Sequence, residues 1–204
     1  MHDYKLILGI LSAVFGILFS VIKYRDEKRR IAFINSYNFS TTLKKRFRQQ
    51  HSNLSDEAVE AVFIALKDFF IFNVKNKNLS MPSQIVDEAW HVFILFTKEY
   101  QVFCDGAYGR FLHHRPSEPY KRESFAFRKK AEQSLREVWK AACKNEGIDR
   151  LNPKKLPRLF AIDKLLNVKG GHYYSHLEHP PGREVSAFDI KCDSDWAGSS
   201  CSGE

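Results

Sequence analysis

The sequence is poor in the features that announce a chemistry. Four cysteines, Cys104, Cys143, Cys192 and Cys201, are too few across 204 residues to make a disulfide scaffold, and reduced thiols suit a cytosolic domain. There is no glycine-rich phosphate loop, because Gly106 and Gly109 lack the lysine and the flanking strand that such a cradle requires. No internal repeat, no convincing set of strands and no defensible Ser-His-Asp order can be read. What remains is helical patterning, one uncharged run and one segment dense in ligand-type side chains.

Charge of one sign is also scarcer than the total suggests. The net charge is +8, but residues 23–50 hold nine Lys or Arg against two acids, while residues 51–204 hold 22 basic and 21 acidic side chains. The excess sits in KYRDEKRR and LKKRFR. It lacks aromatic interleaving or a reader motif, so no nucleic-acid partner is expected.

Leu6 to Ile22 is seventeen residues without a charge. A helix of that length reaches roughly 25 Å, a little short of a hydrocarbon core of about 30 Å. Tyr4-Lys5 and Lys23-Tyr24 flank it as interface residues do. A cleaved signal peptide fits less well, since no small-x-small site follows the run and Asp3 offsets the only early lysine. The sequence therefore predicts a transmembrane anchor over 1–24 and a basic juxtamembrane linker over 25–39. Lys23, Arg25, Lys28, Arg29 and Arg30 follow the span, which predicts a C-terminal domain on the cytoplasmic side. Lys23, Tyr24, Arg25, Arg29 and Arg30 are the expected contacts to the lipid bilayer and its anionic headgroups. Ser12, Gly16 and Ser20 make a small-xxx-small row suited to a homodimer through the span.

Beyond the span the apolar periodicity is helical. Residues 26–38 read as a polar helical stub or linker, and Ser40 to Gln50 as a short basic amphipathic helix. Ser55 caps a helix to about Asn73, with Val59, Val62, Phe63, Leu66, Phe69 and Phe70 on one face. Ser83 caps a helix from Gln84 to about Phe96, Thr97 restarts one to Cys104, and Gly106 with Gly109 mark a turn. Glu123 to Asn145 is the third strong helix, with Phe127, Ala131, Leu135, Val138, Trp139 and Ala142 as its stripe. Pro157 opens a short last helix as an N1 residue. The expected fold is all-α: a helical domain over 40–168 behind a single transmembrane helix, then an irregular tail over 169–204.

Asp87 to His114, DEAWHVFILFTKEYQVFCDGAYGRFLHH, threads five polar groups through aromatics. Asp87 and His91 stand four apart and share a helix face. Asp87 can orient His91, with His91, Cys104 and one of His113 or His114 completing a tetrahedral set for a zinc-like divalent metal. The competing reading is structural. Trp90-His91 then packs a helix interface, Cys104 is a small buried hydrophobe, and the histidine pair caps a loop. Cys–His nucleophilic catalysis ranks below both, because nothing places an activating base beside Cys104. His172, His176 and His179 form a second histidine run between Gly170-Gly171 and Pro180-Pro181. Those flanks favour a solvated loop. Cys192 and Cys201 lie in the tail.

Asp87, Trp90-His91, Tyr100, Phe103-Cys104, Gly109 and His113-His114 together resemble the motif of the glycine-rich-domain-containing-protein-like family, in particular its short bacterial membrane-anchored members. That motif is an acid and Trp-His on a helix, then Tyr, Cys, Gly and a terminal His. PRLFAID, 157–163, and the small-residue tail with cysteine are similar too. The resemblance is tight over 81–116, looser to 171 and absent before 50. It implies no agreed activity. Plant members carry a second histidine after Trp-His, where this chain has Val92-Phe93. Bacterial relatives end in Gly- and Cys-rich tails, where this tail is mostly Ser, Asp and Gly.

The function expected from these residues is a binding or scaffold module at the membrane face. The alternative is a metal-dependent hydrolase or redox enzyme using His91, Cys104 and His113 or His114.

Overall fold

The computed structural model describes residues 3–76, 79–114, 125–177 and 185–186, with side chains left aside at 3–6 and 125–128. Among the described residues seven helices carry the fold: α1 Asp3–Ser36, α2 Thr41–Gln50, α3 Asp56–Lys75, α4 Gln84–Leu95, α5 Thr97–Tyr108, α6 Phe125–Glu146 and α7 Arg158–Leu165. Two two-residue strands, β1 Tyr174–Ser175 and β2 Val185–Ser186, pair in parallel. This pair is regular structure inside a segment expected to be irregular.

The serine caps form as the sequence requires. Ser40, Ser55 and Ser83 accept hydrogen bonds from the backbone N–H groups of Leu43, Ala58 and Val86, each satisfying a first-turn donor. Asp56 and Glu57 add charge of the favourable sign at the start of α3. Other boundaries move. α5 runs on to Tyr108, and Pro157 is the cap before α7 rather than its first residue. Gly106 lies inside α5 and not in a turn. Its lack of a side chain has a separate purpose, since a Cβ there would stand 2.4 Å from the Phe33 ring. Gly109 is the left-handed C-cap, at φ 65°.

Helix α3 is the hub, packing against α1, α2, α4, α6 and α7. Its Val62, Phe63, Ala65, Leu66, Phe69 and Phe70 are buried. The segment around Trp90 was expected to lie between the helices begun by Ser55 and Glu123. Instead α4 packs on α3, α5 packs on α4, and α1 packs on α3 and α5, with Phe70 of α3 reaching Phe103 of α5 at 4.8 Å between ring centroids. Tyr37, just past α1, meets Phe93 and Phe103, and Phe33 meets Phe103. Of the expected α6 stripe, Val138, Trp139 and Ala142 are buried while Ala131 and Leu135 are half-buried. Phe127 lies outside the described side chains.

Helix α1 has two halves with opposite surroundings. Its apolar side chains from Ile7 to Ile22 are exposed. Among the described residues one helix, Ile7–Ser36, is long and apolar enough to cross a membrane. In the apolar stretch, the Ser12 and Ser20 hydroxyls donate to the Gly9 and Gly16 carbonyls. Past that stretch, residues read as a stub or linker continue the same helix to Ser36. Ile34 is fully buried there, and Phe39 follows it into the core. Charged neighbours hide this stripe in the sequence, because Ile31, Ala32, Phe33 and Ile34 form a run too short to show a helical period.

Candidate metal centre

Three ligand-type side chains converge where α4 begins. Asp87, His91 and His114 each offer one ligand atom, and these atoms all lie within 4.8 Å of one another. Asp87 sits on the first turn of α4 and His91 one turn further along the same face. His114 arrives from the far end of the segment. Its Nε2 lies 2.8 Å from Asp87 Oδ1, while His91 Nδ1 lies 3.6 Å from Oδ2. The two imidazoles face each other with ring centroids 4.3 Å apart.

A buried relay delivers His114 to that position. Trp90 Nε1 donates to the Tyr100 hydroxyl at 3.0 Å, and that hydroxyl donates to the Leu112 carbonyl. The chain is thereby fixed two residues before His114, and the Trp90 ring stands 4.2 Å from the imidazole, edge to face. Arg30 of α1 holds the turn from outside, donating to the Tyr108 carbonyl at the C-terminus of α5. Trp90, Tyr100 and Phe103 are buried core residues, as a structural role requires.

The set differs from the one expected by sequence. Asp87 was expected to orient His91, yet its closer partner is His114 and it faces both imidazoles. The side chains of Asp87 and His114 are 12% and 5% exposed, while that of His91 is 45% exposed. The site is thus sealed on two sides and open at His91. Cys104 and His113 are not in the group. Cys104 is fully buried on α5, and burial pushes its thiol up against the lowering by hydrogen bonds with Leu112 and Tyr100. A thiol pushed up in this way is a poorer nucleophile than an unburied cysteine. His113 is exposed and stacks near Phe111.

Among the described residues, His172 and His176 of the second histidine run join no group of ligand-type side chains. His172 is taken up structurally, its N–H on Asp163 and its Nδ1 3.2 Å from the Pro82 carbonyl. His176 is exposed. His179, Cys192 and Cys201 lie outside the described residues.

Sequence reasoning missed Asp163. The residue is 1% exposed. It accepts from Ser83 Oγ at 2.6 Å, Gln84 N at 2.7 Å, Ile85 N at 3.2 Å and His172 N at 2.8 Å. α7 thereby holds the N-terminus of α4, one turn before Asp87. Its partners at Ser83 to Ile85 lie about 80 residues away, so no local pattern marks it.

Neither a curated protein nor a solved structure matches the chain. A family model does match, UCP032817-like, over residues 29–195. That match starts within the docking half of α1 and runs through every helix after it. The resemblance drawn from the Trp-His segment rested on a much shorter stretch and is corrected by it. No glycine-rich-domain family is shown, and the chain belongs to the UCP032817-like family.

Proposed function

We propose that this is a single-pass membrane protein whose helical domain is a binding module held at the cytoplasmic face of the bilayer. The continuity of α1 supports this reading. One helix runs from an exposed apolar stretch long enough to cross a membrane into the core, where Ile34 is fully buried. A domain joined in this way is held firmly to its anchor, with no flexible tether between them. Lys23, Tyr24, Arg25 and Arg29 are exposed at the end of the apolar run and are the residues to meet anionic headgroups. Arg30, expected among them, turns inward instead and is bound to Asp26 and the Tyr108 carbonyl.

The protein should stay with the membrane pellet after alkaline carbonate washing. A tag placed after Glu204 should be protected from protease in intact cells and cut once they are permeabilised. Charge reversal at Arg25 and Arg29 should raise the fraction cut from outside. Extraction by carbonate, or a tag already cut in intact cells, would sink the reading.

The ligand of the module is a zinc-like divalent cation at Asp87, His91 and His114. Two imidazoles and one carboxylate are the donor types such a cation takes, and three protein ligands leave a position open. Donor atoms bound at about 2.0–2.2 Å around a tetrahedral ion lie roughly 3.4 Å apart. One ligand atom from each of the three residues lies within 4.8 Å of the others; His91 Nδ1 stands 3.6 Å from Asp87 Oδ2 and His114 Nε2 2.8 Å from the other oxygen, Oδ1, so the side chains adjust their positions to share one cation. The full chain in detergent should bind one equivalent of Zn²⁺ or Co²⁺ by elemental analysis. Asp87→Ala and His114→Ala should lose it and His113→Ala should keep it. A wild-type protein that takes up no stoichiometric cation removes this reading.

A further inference from the structure

We propose that Glu88 is a general base at this centre and that the protein hydrolyses an acyl substrate, an ester or an amide, with a cation-activated water. The role presupposes the cation at Asp87, His91 and His114.

Spacing is the first support. Asp87, Glu88 and His91 occupy positions i, i+1 and i+4 of one helix. In a helix where histidines at i and i+4 hold a zinc ion, a glutamate at i+1 takes a proton from the water on that ion; here an aspartate stands in the place of the first histidine. Here Asp87 provides the first ligand, His91 the second, and His114 the third from a distant segment. Glu88 stands three residues before His91, so the two side chains are neighbours on the helix surface, about 5–6 Å apart at Cβ.

The second support is that Glu88 is held in place. Gln84 Nε2 donates to its Oε1 at 2.9 Å. His51 Nε2, from the C-cap of α2, reaches its Oε2 at 3.0 Å. The Glu88 side chain remains 34% exposed and that of His91 45%. Water therefore has access to Glu88 and to His91, while Asp87 and His114 are the buried members of the set.

The chemistry balances without a further reactant. The cation lowers the pKa of a water in the open position and polarises the substrate carbonyl. Glu88 takes one proton from that water as its oxygen forms a bond to the carbonyl carbon. The tetrahedral intermediate collapses, breaking the bond to the leaving oxygen or nitrogen, which receives the proton from Glu88. One water and one ester or amide give one acid and one alcohol or amine.

The test uses the full chain in detergent, loaded with Zn²⁺ for rates and Co²⁺ for spectra, with 4-nitrophenyl acetate as the probe. Wild-type protein should hydrolyse it well above His114→Ala. Glu88→Gln should lower the rate by about 100-fold or more, the range for losing a general base. It should leave the cation stoichiometry and the ligand-field bands of the Co²⁺ protein in place, since Glu88 is not a ligand. If the Glu88–His51 pair is only structural, Glu88→Gln will lower the melting temperature and leave the rate alone, which overturns the proposal. Zinc-loaded wild type no faster than His114→Ala overturns it too. Wild type that binds no cation brings down the cation reading itself, a result distinct from both.

Discussion

Trp90→Ala is expected to destabilise the domain by about 3–5 kcal/mol, the range for truncating a core aromatic. Trp90 is 5% exposed and packs against Phe69 at 5.4 Å and Phe70 at 5.5 Å between ring centroids. Its indole N–H is also the donor to Tyr100. The loss therefore combines a cavity between α3 and α4 with a broken relay to Leu112. Differential scanning fluorimetry in detergent should show a melting temperature lower by roughly 10 °C, at about 2–4 °C per kcal/mol for a chain of this size. Trp90→Phe separates the two contributions. It keeps most of the packing and removes only the donor, so the expected loss is about 1 kcal/mol. Because the same ring walls His114, Trp90→Ala should weaken cation binding even under conditions where it stays folded. A Trp90→Ala protein with wild-type melting would remove the packing argument, and with it the scaffold that positions His114.

The legible parts of this fold are those decided within a few residues. Ser55 and Ser83 each stand three residues before the backbone N–H they cap, and the face from Val59 to Phe70 repeats at helical spacing. Both form as read. The illegible parts depend on partners far along the chain. Ile31 to Ile34 is an apolar run too short to assign a face in a charged stretch, until Gly106 and Phe103 of α5 appear beside Phe33. Gly106 read as a turn because its reason for being glycine lies in Phe33, not in its own neighbours. The site shows the same division. Asp87 and His91 could be paired from their spacing, and His114 was in view as one of four ligand candidates. What decides between His114 and Cys104 is burial and direction: the thiol is used by Tyr100 and Leu112, while the histidine is carried around to Asp87. The i, i+1, i+4 spacing of Asp87, Glu88 and His91 stands in the sequence itself. It becomes a specific signal only when a third ligand closes the set.

Asp163→Asn is expected to be almost as damaging as Asp163→Ala, an outcome that shape alone would not give. In the wild type four donors point at the Asp163 carboxylate, three of them backbone N–H groups and one the Ser83 hydroxyl. Hydrogen bonds to a charged group contribute about 1.5–3 kcal/mol each, and the carboxylate also lies against the positive end of the α4 dipole. An asparagine of the same shape keeps one carbonyl oxygen but turns an amide N–H₂ toward donors on the other side. If the oxygen stays with Ser83 and Ile85, the amide meets the N–H groups of Gln84 and His172; if it flips, the conflict moves to Ser83 and Ile85. Either orientation leaves buried donors unpaired, at about 1–3 kcal/mol apiece. Little relaxation is available, because Gly171 brings the backbone so close that even a Cβ there would stand 2.9 Å from the Cβ of Asp163. Both variants should therefore lose about 3 kcal/mol or more, read as a drop in melting temperature near 10 °C. Ser83→Ala, which removes one donor and one cap, should cost about 1 kcal/mol. The consequence reaches the site, because Ser83 and Gln84 set the first turn of α4 and Asp87 N bonds the Ser83 carbonyl at 3.1 Å. A destabilised start to α4 should loosen the Asp87–His114 pair and lower cation affinity in Asp163→Asn below that of the wild type, measured by calorimetry at a temperature where both are folded. Wild-type melting in Asp163→Asn would show that the charge is dispensable, and α4 would then be held by packing against α3 alone.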